Sequence, residues 1–207
     1  MRFEQPRAEE RHRRILDAAL KIFSRKGYRE SSVDDIAGES DTSKGGVYFH
    51  FPGKQAIFFA LMDRAARQLL DRVEEAIARE TEPVARAEAA LHVVLKNFGK
   101  HRALARLFLI EAYGAGREVH VRLMEIHETF IGVMKRHLDE AVAAGVIPSI
   151  DTEVAGRVWF GAVNEVITHW LLTDHPKSIE DTYASLRPLI FHSVGAEAPS
   201  ERTRGER

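Results

Sequence analysis

Apolar residues recur at helical intervals along nearly the whole chain. In the first such stretch they occupy positions i, i+3, i+4, i+7 and i+8, which lie on one face of an α-helix. These residues are Ile15, Ala18, Ala19, Ile22 and Phe23. No stretch shows the alternation of apolar and polar residues that is typical of a strand bounded by hairpin turns. The 207-residue sequence therefore predicts an all-α protein.

Capping and helix-breaking residues predict where the first three helices begin and end. The first helix covers about residues 8–26, and Gly27 follows its basic last turn as a stop. The second begins at Ser32, with Asp35 three residues later as its capping-box partner. A polar turn then leads to a short third helix over residues 44–49. Two short helices joined in this way and framed by longer ones are the layout of a helix-turn-helix unit.

A long fourth helix and about five more follow, which gives about nine helices in total. The fourth begins after Pro52-Gly53 and ends before Pro83. The later helices are predicted over residues 84–98, 101–113, 118–144, 151–173 and 178–195. We therefore predict a helix-turn-helix head over residues 1–54, a helical ligand-binding and dimerisation body over 55–197, and a disordered tail over 198–207.

Composition limits the kinds of site that the chain can carry. It has no cysteine, which excludes disulfides, thiolate metal sites and cysteine nucleophiles. The net charge is −1 at pH 7, so any nucleic-acid interface has to be a local patch. No run of about 18 apolar residues occurs and the N-terminus is polar, so we expect a cytoplasmic protein without a membrane span.

The third predicted helix has a poor sequence for a helix that only needs to be stable. Its adjacent Gly45 and Gly46 cost about 2 kcal/mol relative to alanines in a helix interior. Such a violation is expected where a functional demand overrides helix propensity. In a DNA major groove, small residues at the start of a helix let the backbone approach phosphates and base edges. The two glycines therefore indicate a recognition helix.

Side chains on and near this helix could complement a DNA duplex. Lys44 can neutralise phosphate or read guanine, and Phe49 can contact a thymine methyl group. Tyr48 and His50 can donate hydrogen bonds to phosphate oxygens. Phe51 is expected in the core beneath the helix. Further phosphate contacts are predicted near helix starts, at Ser32, Thr42, Ser43 and Lys54.

Three N-terminal arginines, Arg11, Arg13 and Arg14, allow two interpretations. They could form an arm that contacts phosphates, or a solvated face that pairs with Glu9 and Glu10. Both interpretations fit the spacing of these residues.

The stretch from Ser32 to Phe58, SVDDIAGESDTSKGGVYFHFPGKQAIF, resembles the DNA-binding region of the TetR family of repressors. The shared residues agree in type and spacing; they are Ile36-Ala37, Ser43, Gly45, Tyr48, His50-Phe51, Lys54 and the apolar residue at 57. The end of the first helix, Phe23 with Gly27-Tyr28, agrees as well. This resemblance implies a homodimer whose two heads bind a palindromic DNA operator.

Two places depart from the family pattern. Asp41 and Thr42 stand where the family often has glycine and then valine. Because Asp tolerates a left-handed backbone, we expect the turn to survive. Gly46 replaces a common threonine, which should weaken one contact to a base or a phosphate.

Aromatic, methionine and polar residues of the later helices suit either an ordinary core or an apolar ligand pocket. The pocket candidates are Phe108, Tyr113, His127, Phe130, Met134, Trp159, Phe160, Val163, Asn164 and Ile167. The stretch from Gly161 to Val166, GAVNEV, resembles fatty-acyl-responsive members of the TetR family. We therefore predict a small apolar effector of fatty-acyl or aromatic type, and no cofactor.

The last two predicted helices carry more apolar residues than one packed layer needs. These are Val154, Ala155, Val158, Ala162 and Val166 on the first helix and Tyr183, Leu186, Leu189 and Ile190 on the second. Gly156 and Gly161 beside them would permit a close approach between helices. We predict that two helices from each subunit form a four-helix dimer interface.

No motif predicts a catalytic or metal site. His120 and His127 share a helical face, but no third ligand accompanies them at metal-site spacing. Gly114-Ala115-Gly116 lacks the third glycine of a nucleotide fingerprint and follows a helix. The chain is therefore predicted to be no enzyme, but a repressor that leaves its operator when the effector binds. The alternative is a helical carrier protein whose head no longer binds DNA.

Overall fold

The computed structural model describes residues 4–173 and 178–196, and these contain nine α-helices and no strand. The all-α prediction is thereby confirmed. The helices are α1 (Glu4–Glu30), α2 (Val33–Glu39), α3 (Lys44–His50), α4 (Lys54–Ile77), α5 (Pro83–Lys100), α6 (Arg102–Arg106), α7 (Arg117–Ala143), α8 (Thr152–Leu172) and α9 (Tyr183–His192). None of the helices in these residues is long and apolar enough to cross a membrane. The predicted tail, 198–207, lies outside the described residues.

Two helices are less regular than the sequence predicts. After α6, the chain continues through a π-helical segment, Leu107–Glu111, and a 3-10 turn, Ala112–Gly114. Arg29 holds the end of this segment, because its Nε and Nη2 both donate to the carbonyl oxygen of Gly114, Nε at 2.9 Å. A second 3-10 turn, Ile179–Thr182, precedes α9.

The chain divides into two compact units. The first contains residues up to Gln68 together with His101–Ile126, and the second contains Leu69–Lys100 and the residues from His127 onward. The boundary predicted at residue 54 separates functions rather than packed units, and it stays a prediction.

The predicted caps of α1 and α2 are confirmed. Gly27 interrupts α1 with a φ of 80°, a left-handed conformation that favours glycine. At the start of α2, Ser32 Oγ accepts the Asp35 N–H at 3.1 Å and Asp35 Oδ2 accepts the Ser32 N–H at 3.0 Å. Hydrogen bonds from Lys26 and then from Ser32 lower the pKa of Asp35 to about 2.

The turn between α2 and α3 depends on Asp41, whose φ is 48°. This left-handed conformation is the one that the sequence analysis expects Asp41 to tolerate, and that expectation is confirmed. The turn is closed by backbone hydrogen bonds, including one of 3.0 Å from Thr42 N–H to the Ala37 carbonyl. Ser43 then caps α3, with its Oγ accepting the Gly46 N–H at 3.1 Å.

The core of the first unit anchors α3 through two side chains. Val47 is fully buried and Phe51 is 5% exposed, so the prediction that Phe51 lies in the core is confirmed. The same core contains Phe23 and Phe58, whose ring centroids are 5.5 Å apart. Phe108 packs against it, with its ring 5.7 Å from that of Phe58. This pocket candidate therefore contributes to the core of the first unit.

The second unit contains two clusters of buried apolar residues. One consists of Leu69, Val73 and Ile77, and the other of Leu138, Ala141, Ile147, Phe191, Val194 and Ala196. Gly156 on α8 is buried against α7, where an added Cβ would lie 3.4 Å from the Ile131 carbonyl oxygen. This corrects the prediction that Gly156 permits the approach of another subunit, because packing within the chain explains it.

The two adjacent glycines of α3 differ in what surrounds them. A Cβ added to Gly46 would lie 2.8 Å from Thr42 Cγ2 and 3.2 Å from Ser43 Oγ. A Cβ added to Gly45 would meet no atom within 4 Å. The fold therefore explains why residue 46 is glycine, but it does not explain why residue 45 is.

We expect Gly45→Ala to raise the free energy of unfolding by about 0.5–1 kcal/mol, because alanine has the higher helix propensity and meets no neighbour. Gly46→Ala should lower it by about 1 kcal/mol or more through overpacking against Thr42. Adding Thr42→Ser to Gly46→Ala removes the obstructing methyl group and should restore most of the loss. Urea denaturation measures all three variants, and equal effects of the two glycine replacements would contradict this account.

Candidate functional site

α3 presents one continuous face to solvent. Val47 is its only buried residue, whereas Tyr48 is 47% and Phe49 is 82% exposed. Lys44 and Gly45 are exposed one helical turn earlier, so they share this face with the two aromatic residues. Two exposed aromatic rings on a seven-residue helix contribute little to folding. This face has the composition of a binding surface.

Lys44 keeps its positive charge exposed on this face. Its Nζ lies 2.9 Å from Asp34, and both side chains are more than half exposed. The hydrogen bond and charge of Asp34 raise the pKa of Lys44. Since an exposed ion pair is weak and solvent-screened, a phosphate can replace Asp34 as the partner of Lys44. Its predicted role as a phosphate contact is compatible with this geometry.

His50, at the end of α3, has a less accessible ring than predicted. Its Nε2 is buried and has no hydrogen-bond partner. The ring centroid lies 6.2 Å from that of His12 on α1. Burial, followed by the charges of His12 and Arg11, lowers the pKa of His50 and favours the neutral ring. The predicted hydrogen bond from His50 to phosphate therefore cannot use Nε2 in this conformation.

Lys54 has no donor left for a phosphate. Its Nζ donates to the carbonyl oxygens of Tyr28 at 2.9 Å, Arg29 at 3.0 Å and Ser31 at 2.7 Å. It also lies 4.7 Å from the centre of the Tyr28 ring. Because an ammonium group has three N–H donors, these carbonyls use all of them. The structure thus favours a positioning role for Lys54 over the predicted phosphate contact.

The three hydroxyl groups predicted to contact phosphate have different partners. Ser32 Oγ donates to Asp35 Oδ2 at 2.8 Å, and Thr42 Oγ1 donates to the Ser40 carbonyl at 3.2 Å. Ser43 Oγ acts as an acceptor in its capping bond to α3. Among these three residues, Ser43 is therefore the one whose hydroxyl hydrogen is left for a phosphate oxygen.

The N-terminal arginines fit both of the interpretations that the sequence leaves open. Arg13 pairs with Glu10, as expected for a solvated, self-paired face. Within the described residues, Arg11 and Arg14 are exposed and form no ion pair. They lie at the same end of α1 as His12, whose ring contacts the Phe51 ring at 4.7 Å.

The second unit contains a cavity of about 120 Å³. By the same measure, about 10–15 Å³ is enough for one water molecule. Its walls are largely aliphatic and come from α4, α5, α7, α8, α9 and the segments after α7 and α9. The lining residues are Val73, Ile77, Pro83, Val84, Arg86, Ala87, Ala90, Leu91, Val94, Phe130, Val133, Met134, His137, Leu138, Ala141, Val146, Ile147, Trp159, Val163, Ile190, Phe191, Val194 and Ala196.

Four of the ten pocket candidates line this cavity: Phe130, Met134, Trp159 and Val163. The other six lie elsewhere; they are Phe108, Tyr113, His127, Phe160, Asn164 and Ile167. Phe108 and Tyr113 belong to the first unit, and Ile167 is packed in the core with 1% exposure. The rings of His127 and Phe160 contact each other at 4.7 Å.

Sequence reasoning misses the contribution of α5 to the cavity. Pro83, Ala87, Ala90 and Val94 line it at helical intervals of three or four residues. The same spacing is typical of any core-facing helix, so the pattern identifies the face but not the empty space beside it. His137 is also missed, although the spacing of His137 and Glu140 places them on one helical face.

An apolar surface remains on α8 and α9. Four large aliphatic side chains are more than half exposed: Val154, Val158, Leu172 and Leu189. The first three share α8, and a Cβ added to Gly161 on the same helix would meet no atom within 4 Å. By contrast, Leu186 and Ile190 are buried in the core of their own chain, so the structure leaves only part of the predicted dimer surface exposed.

No metal centre accompanies either candidate site. Within residues 4–173 and 178–196, no three histidine or carboxylate side chains are grouped so that they could hold a metal ion.

Comparison with known proteins gives two adjoining family matches. Residues 15–61 match the bacterial regulatory proteins of the tetR family, and residues 62–193 match the C-terminal region of YsiA-like proteins. The fatty acid metabolism regulator protein of Bacillus subtilis is 28% identical over 189 residues, which is 89% of this chain and 95% of that protein. The regulator EthR of Mycolicibacterium smegmatis is 25% identical over 96% of this chain and 92% of its own length.

Solved structures share the fold. The fatty acid degradation regulator FadR from Bacillus halodurans superimposes with a TM-score of 0.83 at 19% identity, over 90% of this chain and 97% of that one. FadR from Bacillus subtilis, solved in complex with stearoyl-CoA, gives a TM-score of 0.81 at 22% identity, over 89% and 98%. Since the family matches together span residues 15–193, the chain belongs to the TetR family of bacterial regulatory proteins, with a YsiA-like C-terminal region, and is a DNA-binding transcriptional regulator.

Proposed function

We propose that the protein is a repressor that binds a palindromic operator as a homodimer and is released by a fatty-acyl effector. α3 is the recognition helix, the cavity of the second unit holds the apolar part of the effector, and α8 and α9 form the dimer interface. The protein acts by binding rather than by catalysis, in the cytoplasm where its operator lies.

The observation that carries the DNA part of the proposal is Gly45. Nothing in the fold occupies the space of a side chain there, so glycine costs stability without serving packing. The residue lies on the exposed face that also carries Lys44, Tyr48 and Phe49. A duplex pressed against this face would explain the glycine, because the backbone can then approach phosphates closely.

Two observations support a fatty-acyl effector. The cavity is lined mainly by aliphatic side chains, which suit a hydrocarbon chain better than a polar metabolite. A relative of similar length is the fatty acid metabolism regulator protein of Bacillus subtilis, and a structural neighbour is FadR in complex with stearoyl-CoA. A further neighbour, AibR, is solved with isovaleryl coenzyme A and operator DNA, at a TM-score of 0.69 and 20% identity. We therefore propose a coenzyme A thioester as the effector.

The exposed aliphatic residues of α8 and α9 support the dimer. Val154, Val158 and Leu172 are spaced so that they follow one side of α8, and Leu189 adds a fourth on α9. Apolar surface of this kind is retained where another protein surface covers it. A symmetric pairing of the same two helices would bury it and would place two recognition helices on one operator.

Control of DNA binding by the effector requires that the two ligands favour different conformations. α4 and α7 each supply residues to both units of the chain. An effector in the cavity that favours a conformation with mismatched heads would lower operator affinity through a coupling of about 1–3 kcal/mol.

The Gly45→Ala variant tests the DNA interface. We expect it to bind the promoter DNA of its own gene at least tenfold more weakly, although its unfolding free energy rises, because the added methyl group keeps the backbone from the duplex. Fluorescence anisotropy with a labelled duplex measures the affinity. Unchanged affinity in a more stable variant would remove the recognition helix from the proposal.

Two lysine variants supply the matched comparison in the same assay. Lys44→Gln should reduce the slope of log affinity against log salt concentration by about 1, as expected for one lost phosphate contact. Lys54→Met should lower the melting temperature and the affinity, but leave that slope unchanged, because its ammonium group serves three carbonyls. The reverse assignment of slopes would show that Lys54 contacts phosphate.

Acyl coenzyme A should weaken operator binding by about 5- to 150-fold, the range that a coupling of 1–3 kcal/mol gives. Palmitoyl-CoA is the test compound, and coenzyme A alone is the control that lacks the chain. Ala90→Phe, which fills part of the cavity, should keep DNA affinity and lose the response. A variant that responds like the wild type would place the effector outside this cavity.

The double variant Leu172→Glu, Leu189→Glu should be monomeric at micromolar concentration, since charges would replace the two most exposed leucines of the proposed interface. Light scattering coupled to size-exclusion chromatography gives the mass directly. Val121→Glu is the matched control, because Val121 is 50% exposed on α7 in the first unit. A monomeric wild-type protein, or a monomeric control, would contradict the proposed interface.

A further inference from the structure

The cavity of the second unit contains one polar atom that the fold leaves without a partner. His137 is part of the cavity wall, and its Nε2 is buried without a hydrogen bond. Buried polar side-chain atoms are nearly always satisfied in folded proteins, and each exception calls for a specific explanation. A ligand that reaches this nitrogen would supply the missing partner.

The orientation of the imidazole ring is set by its other nitrogen. Nδ1 of His137 lies 3.2 Å from Glu140 Oε2. Since a carboxylate can only accept, Nδ1 carries the proton and donates. In the neutral ring the proton on Nδ1 leaves Nε2 as an acceptor with a free lone pair.

Arg86 reinforces this arrangement from α5. Its Nη1 lies 3.4 Å from the same Glu140 oxygen, and its Nε donates to the Glu80 carbonyl at 3.0 Å. The guanidinium charge thus offsets the carboxylate, which is then not left to stabilise a second positive charge on His137. Arg86 also lines the cavity, but its donors are directed at protein acceptors. These contacts favour the neutral form of the His137 ring.

Within the described residues, no other side chain of the wall competes for the ligand's polar group. Apart from Arg86 and His137, the side chain of Trp159 is the only one in this described lining with a nitrogen or oxygen atom. Its Nε1 donates to Ser193 Oγ at 3.0 Å. A water molecule needs two to four polar partners to stay ordered, and the wall offers one. The acceptor at His137 is therefore better matched by a ligand than by water.

From this geometry we propose that His137 selects the ligand of the cavity: Nε2 accepts a hydrogen bond from a hydroxyl or amide N–H group on an otherwise apolar molecule. Glu140 is the positioning residue that holds the ring. The inference rests on the proposed function, because it takes the cavity to be the effector site. It adds a chemical requirement, a donor group within the apolar ligand, that apolar lining alone would not impose.

Two isomers test the requirement: 1-decanol, which has a hydroxyl donor, and 1-methoxynonane, whose ether oxygen only accepts. The wild-type protein should bind the alcohol about fivefold more tightly, which corresponds to one ordinary hydrogen bond. His137→Phe keeps the ring and removes the nitrogen, so it should bind both isomers equally. Isothermal titration calorimetry gives both constants for each variant.

Stability separates recognition from a structural role. Replacing an unsatisfied buried nitrogen by carbon should leave the melting temperature of His137→Phe unchanged or raise it, while the preference for the alcohol disappears. Glu140→Ala, which frees the ring, should reduce the preference without abolishing binding of either isomer. Met134→Leu, a volume-conserving change in the same wall, should retain the wild-type preference.

The outcomes distinguish the inference from the function on which it rests. If the wild-type protein binds the two isomers with equal affinity, His137 does not select the ligand, and the cavity remains an apolar effector site. If it binds neither isomer up to their solubility limits, the assignment of the effector to this cavity fails, and the role of His137 fails with it. A preference for the ether would show that Nε2 carries the proton, which would also overturn the inference.

Discussion

The head of this protein depends on how the end of α1 is joined to the start of α4. The left-handed Gly27 interrupts α1, and the carbonyl groups that follow it would otherwise lack partners. The Lys54 ammonium group accepts this task, because it binds the carbonyls of Tyr28, Arg29 and Ser31 at once. α2 and α3 lie between these two ends in the chain, so their placement depends on this one side chain. A lysine that agrees with the TetR pattern thus has a structural reason to be there.

α3 divides its few residues between folding and recognition. Val47 and the adjoining Phe51 are buried, while Gly46 makes room for Thr42, so the fold accounts for these three. Tyr48 and Phe49 are exposed on the opposite side, where folding has no use for them. The separation is possible because a helix repeats every 3.6 residues, so anchoring and exposed side chains need not share a face. A short helix can then hold its position and still offer a complete surface to DNA.

The second unit has the opposite distribution of polar groups. Its two buried clusters leave a cavity between the apolar side chains that line it, and almost every polar atom in the wall is paired. Apolar walls attract hydrocarbon without distinguishing one chain from another. Discrimination then depends on the few polar atoms that remain, because an unpaired buried group is costly and a matching ligand removes that cost. His137 is the residue in this wall with such an atom.

Local signals in the sequence were enough for the helices, the caps at Ser32 and Ser43, the turn at Asp41 and the family, because these depend on residues within a few positions of each other. The uses of individual side chains were not predictable in this way. Lys54 binds carbonyls 23 to 26 residues away, and the cavity wall joins α5 to α7 and α9. A periodic apolar pattern identifies which face of a helix is buried, but the same pattern describes a filled core and a cavity wall. Whether atoms fill that space is settled by packing between segments distant in the chain.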